Sequence, residues 1–180
     1  MDVPLVMTII GRDRTGLVET VASLVAEHEG NWLECRMCRL GGEFAGILRI
    51  QLPAENQAAL AYDLEALQSR GINVTVCCDA GPTPALDKSL TTLEIVGQDR
   101  PGIILEITRA LASQRVNVEE LSSECVSAPM TGEPLFKARA RLQLPPDCPV
   151  ARLRQDLEEI AADLMVDITF ANDEIAQLVL

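Results

Sequence analysis

Two apolar, β-branched runs, Val3 to Ile10 and Leu90 to Val96, open matching patterns along the chain. Runs of this kind bounded by turn residues predict strands. A Gly-x-Asp-Arg turn follows each. Apolar residues then recur at helical spacing: Leu17, Val21, Leu24 and Val25 after the first turn, Ile103, Ile107 and Leu111 after the second. Asn31 to Leu40 and Glu43 to Leu52 read as a hairpin around Gly41-Gly42, and Asn117 to Val126 with Pro134 to Leu144 read as its equivalent. Leu60, Leu64 and Leu67, and later Leu153, Leu157 and Ile160, mark a second helix in each half. Gly71 suits the C-terminal cap of the earlier one. Ile72 to Cys77 and Met165 to Phe170 are the last strands. The predicted order is βαββαβ, twice.

The two halves are one repeat. Ile10-Gly11-Arg12-Asp13-Arg14-Thr15-Gly16-Leu17 answers Val96-Gly97-Gln98-Asp99-Arg100-Pro101-Gly102-Ile103. Arg49-Ile50-Gln51-Leu52-Pro53 answers Arg141-Leu142-Gln143-Leu144-Pro145, with a wider spacing that places the extra residues in the turn-rich Ser127 to Glu133 stretch. Two split βαβ units with right-handed crossovers form a four-stranded antiparallel sheet with both helices on one face. The fold class is therefore α+β, two ferredoxin-like modules. With strand order 4-1-3-2, the strands beginning at Asn31 and Asn117 are edges. The module boundaries are 1–78 and 89–172, with a Pro- and Gly-containing linker at 79–88 and a tail at 173–180.

Composition narrows the function. Of 180 residues, 48% are hydrophobic and 3% aromatic, so the cores are aliphatic. A net charge of -12 opposes direct binding to nucleic acid, which needs Lys and Arg against phosphates. There is no run of basic residues and no helix-turn-helix pattern. No apolar stretch approaches the roughly 20 residues of a membrane span. Met1-Asp2-Val3-Pro4 does not resemble a signal peptide, and the six cysteines are expected reduced in the cytoplasm.

The candidate chemistry lies in the two strand-to-helix turns. Their glycines let the backbone approach a ligand, the helix start offers N–H groups and a partial positive charge to a carboxylate, and Arg14 and Arg100 add charged donors. The structural alternative is that Asp13 and Asp99 are N-caps, Pro101 fills a first helical turn, and the glycines serve the turn alone. Elsewhere the signals are weak. Cys35-x-x-Cys38 and Cys77-Cys78 fall on opposite edges of one sheet, about 14 Å apart, too far for one zinc. His28 lies near the end of the first helix. Glu119-Glu120 and Glu158-Glu159 read as solvated faces. No nucleophile has a base beside it, and no cofactor signature is present. The expectation is a protein that is not an enzyme.

Asp99-Arg100-Pro101-Gly102-Ile103-Ile104, an apolar helix and then Val116-Asn117-Val118 resemble the ACT domain signature. The first copy departs from it at Thr15 and Trp32. The tandem layout is similar to that of the glycine cleavage system transcriptional repressor group, across nearly the whole chain. This resemblance implies amino-acid binding between paired modules, through the first turn and the start of the second strand. It implicates Asp13, Arg14, Thr15, Gly16 and Asn31, with Asp99, Arg100, Pro101, Gly102 and Asn117. It also implies a sensor of a small amino acid, glycine among the candidates, that modulates a partner transcription factor. The competing readings are a protein–protein interaction module, which includes pairing with its own copies, and a regulatory subunit of an amino-acid metabolic enzyme. The second copy, with Pro101, is the better site. The first serves chiefly as its packing partner.

Overall fold

The computed structural model describes residues 1–79, 89–128 and 132–172. Most of the proposed linker (80–88), the tail (173–180) and the tip of the second hairpin (129–131) lie outside the described residues. The chain divides into two compact units, Met1–Thr83 and Pro84–Leu180.

The first unit runs β1 (Asp2–Arg12), α1 (Leu17–Glu27), β2 (Asn31–Leu40), β3 (Glu43–Pro53), α2 (Gln57–Ala66) and β4 (Ile72–Cys78). Single 3-10 turns flank α2 at Ala54–Asn56 and Leu67–Arg70. The second runs β5 (Ser89–Gln98), α3 (Ile103–Ser113), β6 (Asn117–Ser127), β7 (Pro134–Leu144), α4 (Val150–Leu164) and β8 (Val166–Asn172). Each unit is a four-stranded antiparallel sheet, ordered β2-β3-β1-β4 and β6-β7-β5-β8. The strands beginning at Asn31 and Asn117 are edges, as the pattern requires.

Each unit has its own aliphatic core. Leu5, Met7 and Ile9 of β1 alternate inward with Leu48, Ile50 and Leu52 of β3, and Leu17, Val21, Leu60 and Leu64 close over them from the helices. Leu93, Ile95, Leu142, Ile107, Leu111, Leu153 and Leu157 do the same in the second unit. Period-2 strands and 3.6-period helices put these residues on facing surfaces.

The repeat extends to backbone detail that residue matching alone does not reveal. Both edge strands carry a bulge at the same place, Trp32/Glu34 and Val118/Glu120. Beside each bulge sits the same ion pair: Arg49–Glu34 at 3.8 Å and Arg141–Glu120 at 3.7 Å. Both first helices end with a left-handed residue, Glu29 (φ 59°) or Arg115 (φ 58°), and the next N–H closes onto Val25 or Leu111. Met165, expected inside the last strand, instead ends α4 in a left-handed conformation, and the strand begins at Val166.

Strand alternation also gathers what no contiguous run shows. Lys137, Arg139 and Arg141 share the open face of β7. Acidic neighbours answer this basic stripe: Arg139 meets Glu94 at 3.7 Å, and Arg141 meets Glu120.

Candidate functional site

Each turn leaves the sheet at a glycine whose role differs from the one expected. A Cβ on Gly11 would lie 2.7 Å from the Gly71 carbonyl oxygen, and one on Gly97 would lie 2.8 Å from Cα of Val166. The last strand of the unit approaches here, so close backbone packing, and not a ligand, requires these two glycines.

The helix starts also correct the capping expectation. The caps are Gly16 (φ 87°) and Gly102 (φ 99°), both left-handed and without a side-chain hydrogen bond. Asp13 and Asp99 lie three residues too early to reach the first helical amides. Pro101 stands before the cap and so outside the helix. A left-handed cap residue excludes most side chains, because Cβ crowds the following carbonyl.

Each Asp turns instead to the hairpin and the edge strand. Asp13 forms an ion pair with Nε of Arg39 at 2.7 Å, and its own N–H donates to the Gly42 carbonyl. Asp99 repeats the backbone bond, to the Pro134 carbonyl at 3.2 Å. Where the first unit has Arg39 the second has Cys125, which contacts the Asp99 carboxylate. Desolvation by its neighbours, then the Asp99 charge and the hydrogen bond to it, raise the Cys125 thiol above its ordinary value. Less thiolate is therefore present at pH 8 than at an ordinary exposed cysteine. Asp99→Asn removes the charge, and alkylation of Cys125 at pH 8, followed by peptide mass spectrometry, should then run faster than in the wild type.

The two turn arginines are unequal. Arg14 donates from Nη2 to the Arg70 carbonyl at 2.9 Å and so ties the turn to the end of α2's flanking 3-10 turn. Among the described residues Arg100 makes only a 3.3 Å bond to Gln98 and a 3.9 Å contact with the Met165 sulfur. A short bond to a carbonyl at a helix end is an anchor, whereas two long contacts leave a guanidinium free to turn. Thr15 is exposed, as are Asn31 and Asn117. Asn117 donates from Nδ2 to Glu119 at 2.9 Å, and Glu119 is the extra residue of the bulge.

The turn and the Asn of one unit are not brought together. Asn31 pairs with Gln51, which pairs with Pro4, so Asn31 sits level with the start of β1 while the turn follows its end. Asn117 is level with Leu90 for the same reason. Eight strand residues separate the two levels, about 26 Å. A ligand that touched both would need the turn of one module and the Asn of another.

Other candidates settle into structural roles. His28 caps the end of α1, and its Nε2 lies 2.8 Å from Asp63. In the second unit Gln114 and Asp156 occupy the corresponding place, at 3.3 Å. Among the described residues, no group of three or more His, Cys, Asp or Glu could hold a metal ion. Nor is any described helix long and apolar enough to cross a membrane.

ACT domain models match residues 3–76 and 91–135. The chain belongs to the ACT domain family. Two ACT modules in tandem account for both sheets and both uncapped turns. Membership implies a regulatory role that responds to a small ligand. The chain is 28% identical over 82 residues to a UPF0237 protein of Methanopyrus kandleri, a match covering 45% of this chain and 84% of that protein. The crystal structure of an unknown protein from Galdieria sulphuraria superposes with a TM-score of 0.81 at 27% identity, covering 96% of this chain and 99% of that one. A protein provisionally described as a glycine cleavage system transcriptional repressor superposes with a TM-score of 0.68 at 19% identity, covering 94% of this chain and 96% of that one. At that identity the second likeness speaks for the tandem ACT fold alone.

Arg39 and Cys125 were not among the expected site residues, yet they touch the turn carboxylates. The repeat held the clue, because the same spacing that aligns Asp13 with Asp99 aligns Arg39 with Cys125.

Proposed function

We propose that this tandem ACT protein is a non-enzymatic sensor of a small amino acid, glycine the first to test, and that it modulates a partner transcription factor. The observation that carries the reading is the second turn. There an uncapped helix start, the left-handed Gly102 and the loosely held Arg100 stand together at the surface. Such a helix start attracts a carboxylate through its N–H groups and partial positive charge, and Arg100 adds a charge-assisted bond. Asn117 supplies a group that can both donate and accept, as an amino acid requires, when a second module brings it near. Arg14 is committed to the Arg70 carbonyl, which favours the second copy as the ligand-responsive one.

Isothermal titration of the full chain with glycine, and with alanine and serine in parallel, tests the sensing half. Arg100→Ala should weaken binding by about tenfold or more, the loss of one charge-assisted bond of roughly 1.5–3 kcal/mol. Arg14→Ala should leave affinity nearly unchanged and lower the melting temperature of the first unit. Absence of heat with every small amino acid at millimolar concentration would reject the sensor. The interaction-module reading would then stand, and the uncharged edge strand β4 favours it.

A further inference from the structure

The two sheets expose four edge strands, and three of them carry features that discourage pairing. β2 has its bulge and the charges of Glu34, Arg36 and Arg39. β6 has the matching bulge with Glu119, Glu120 and Glu124. β8 carries Asp167, and beside it the Arg154 guanidinium lies over the Phe170 ring, 5.8 Å from its centroid. Charges and bulges are the means by which natural sheets keep their edges single.

β4 has none of these. Ile72-Asn73-Val74-Thr75-Val76-Cys77-Cys78 contains no charge and no proline, and its register with β1 runs without a bulge. It pairs only with β1 among the described residues. The groove between β4 and α2, about 440 Å³, is open and lined by Ala61, Leu64, Glu65, Val74 and Val76 among others. The corresponding place in the second unit, between α4 and β8, is only about 70 Å³ and holds Arg154 and Phe170.

We propose that β4 is a self-association edge, at which two copies of this chain pair β4 with β4 in antiparallel fashion about a two-fold axis. Three observations fix the occupant. The unpaired backbone of an edge takes an extended segment, and β4 is itself uncharged, β-branched and extended. Centred on Thr75, the pairing sets Val74 against the partner's Val76 on the helix side, where the groove has room for them. It sets Asn73 against the partner's Cys77 on the open side, so no like charges meet. Each chain also carries -12, so two copies repel except where charge is absent, and β4 is the uncharged edge. The contact is isologous and closes at two chains. Added salt screens the repulsion and strengthens it.

Sedimentation equilibrium of the full chain across the micromolar range should give twice the chain mass. Thr75→Lys places two ammonium groups at the axis, on an exposed position that leaves the core untouched. It should weaken association about tenfold or more, with an unchanged circular dichroism spectrum. Asn73→Cys tests the register, because residues 73 and 77 of one strand are too far apart to bond to each other. Mild oxidation should yield a disulfide-linked dimer that Asn73→Cys/Cys77→Ser does not form. A wild-type chain that stays monomeric throughout the range overturns the proposal. So does a dimer that Thr75→Lys leaves equally tight, since its contact then lies elsewhere. Dimer disulfides of equal yield with and without Cys77 overturn the register.

Discussion

Leu142→Ala should melt the second unit well before the first. Leu142 is fully buried near the end of β7, paired with Thr91 of β5 and Val118 of β6. Truncating a buried leucine in a strand held on both sides leaves a cavity that the sheet cannot collapse into, at a cost of about 2–5 kcal/mol. For a unit of this size that lowers its midpoint by on the order of 10–20 °C. The two cores share no residue, so calorimetry should resolve two transitions where the wild type shows closer ones. Ile50→Ala, at the matching position of the first unit, should move the other transition. A single transition displaced as a whole by either change would mean that the units unfold as one.

Gly97→Val should be nearly as damaging, and for the opposite reason. A Cβ there would lie 2.6 Å from Cγ1 of Val166, 2.8 Å from its Cα and 2.9 Å from the Met165 carbonyl oxygen. A side chain could move aside, but the backbone of β8 cannot move without breaking its pairing with β5. Overpacking of this kind costs roughly 1–3 kcal/mol, and backbone contacts place this site at the upper end. The displaced strand start would carry the Asp99-to-Gly102 turn with it, so under the proposed sensor function any glycine binding should fall alongside stability. Val166→Ala in the same chain removes only the Cγ1 contact. Chemical denaturation should therefore recover little, and a full recovery would show that the backbone was never the obstacle.

Much of this was readable from residue pattern. The periods of 2 and 3.6 named each α-helix and strand of the described residues, because burial of one face is a local demand repeated along each element. The glycine and proline punctuation placed the hairpins, and the duplication placed the second module once the first was read. The site was less legible. Asp13 and Asp99 look like caps because carboxylates before helices usually are. Which residue caps a helix depends on where the helix starts, and the left-handed Gly16 and Gly102 move that start out of their reach. Arg14 looks like a free cation until the chain returns, 56 residues later, to offer the Arg70 carbonyl. The basic residues of β7 were visible as an alternation but not as a stripe, and their acidic partners came from other strands.

The sequence by itself determined the fold class, the two modules, the order of their elements and which strands stand at the edges. These follow from local periodicity and from the short list of topologies that bury an amphipathic set. Thr15 and Pro101 already set the two turns apart, but tertiary structure alone decided the contacts by which they differ: Asp13 held by Arg39, Asp99 set beside Cys125, Arg14 anchored and Arg100 loose. It also decided that Asn31 and Asn117 lie a sheet's length from the turns of their own units. Each of these is a contact or separation between residues far apart along the chain, set by register across strands, which no local pattern encodes.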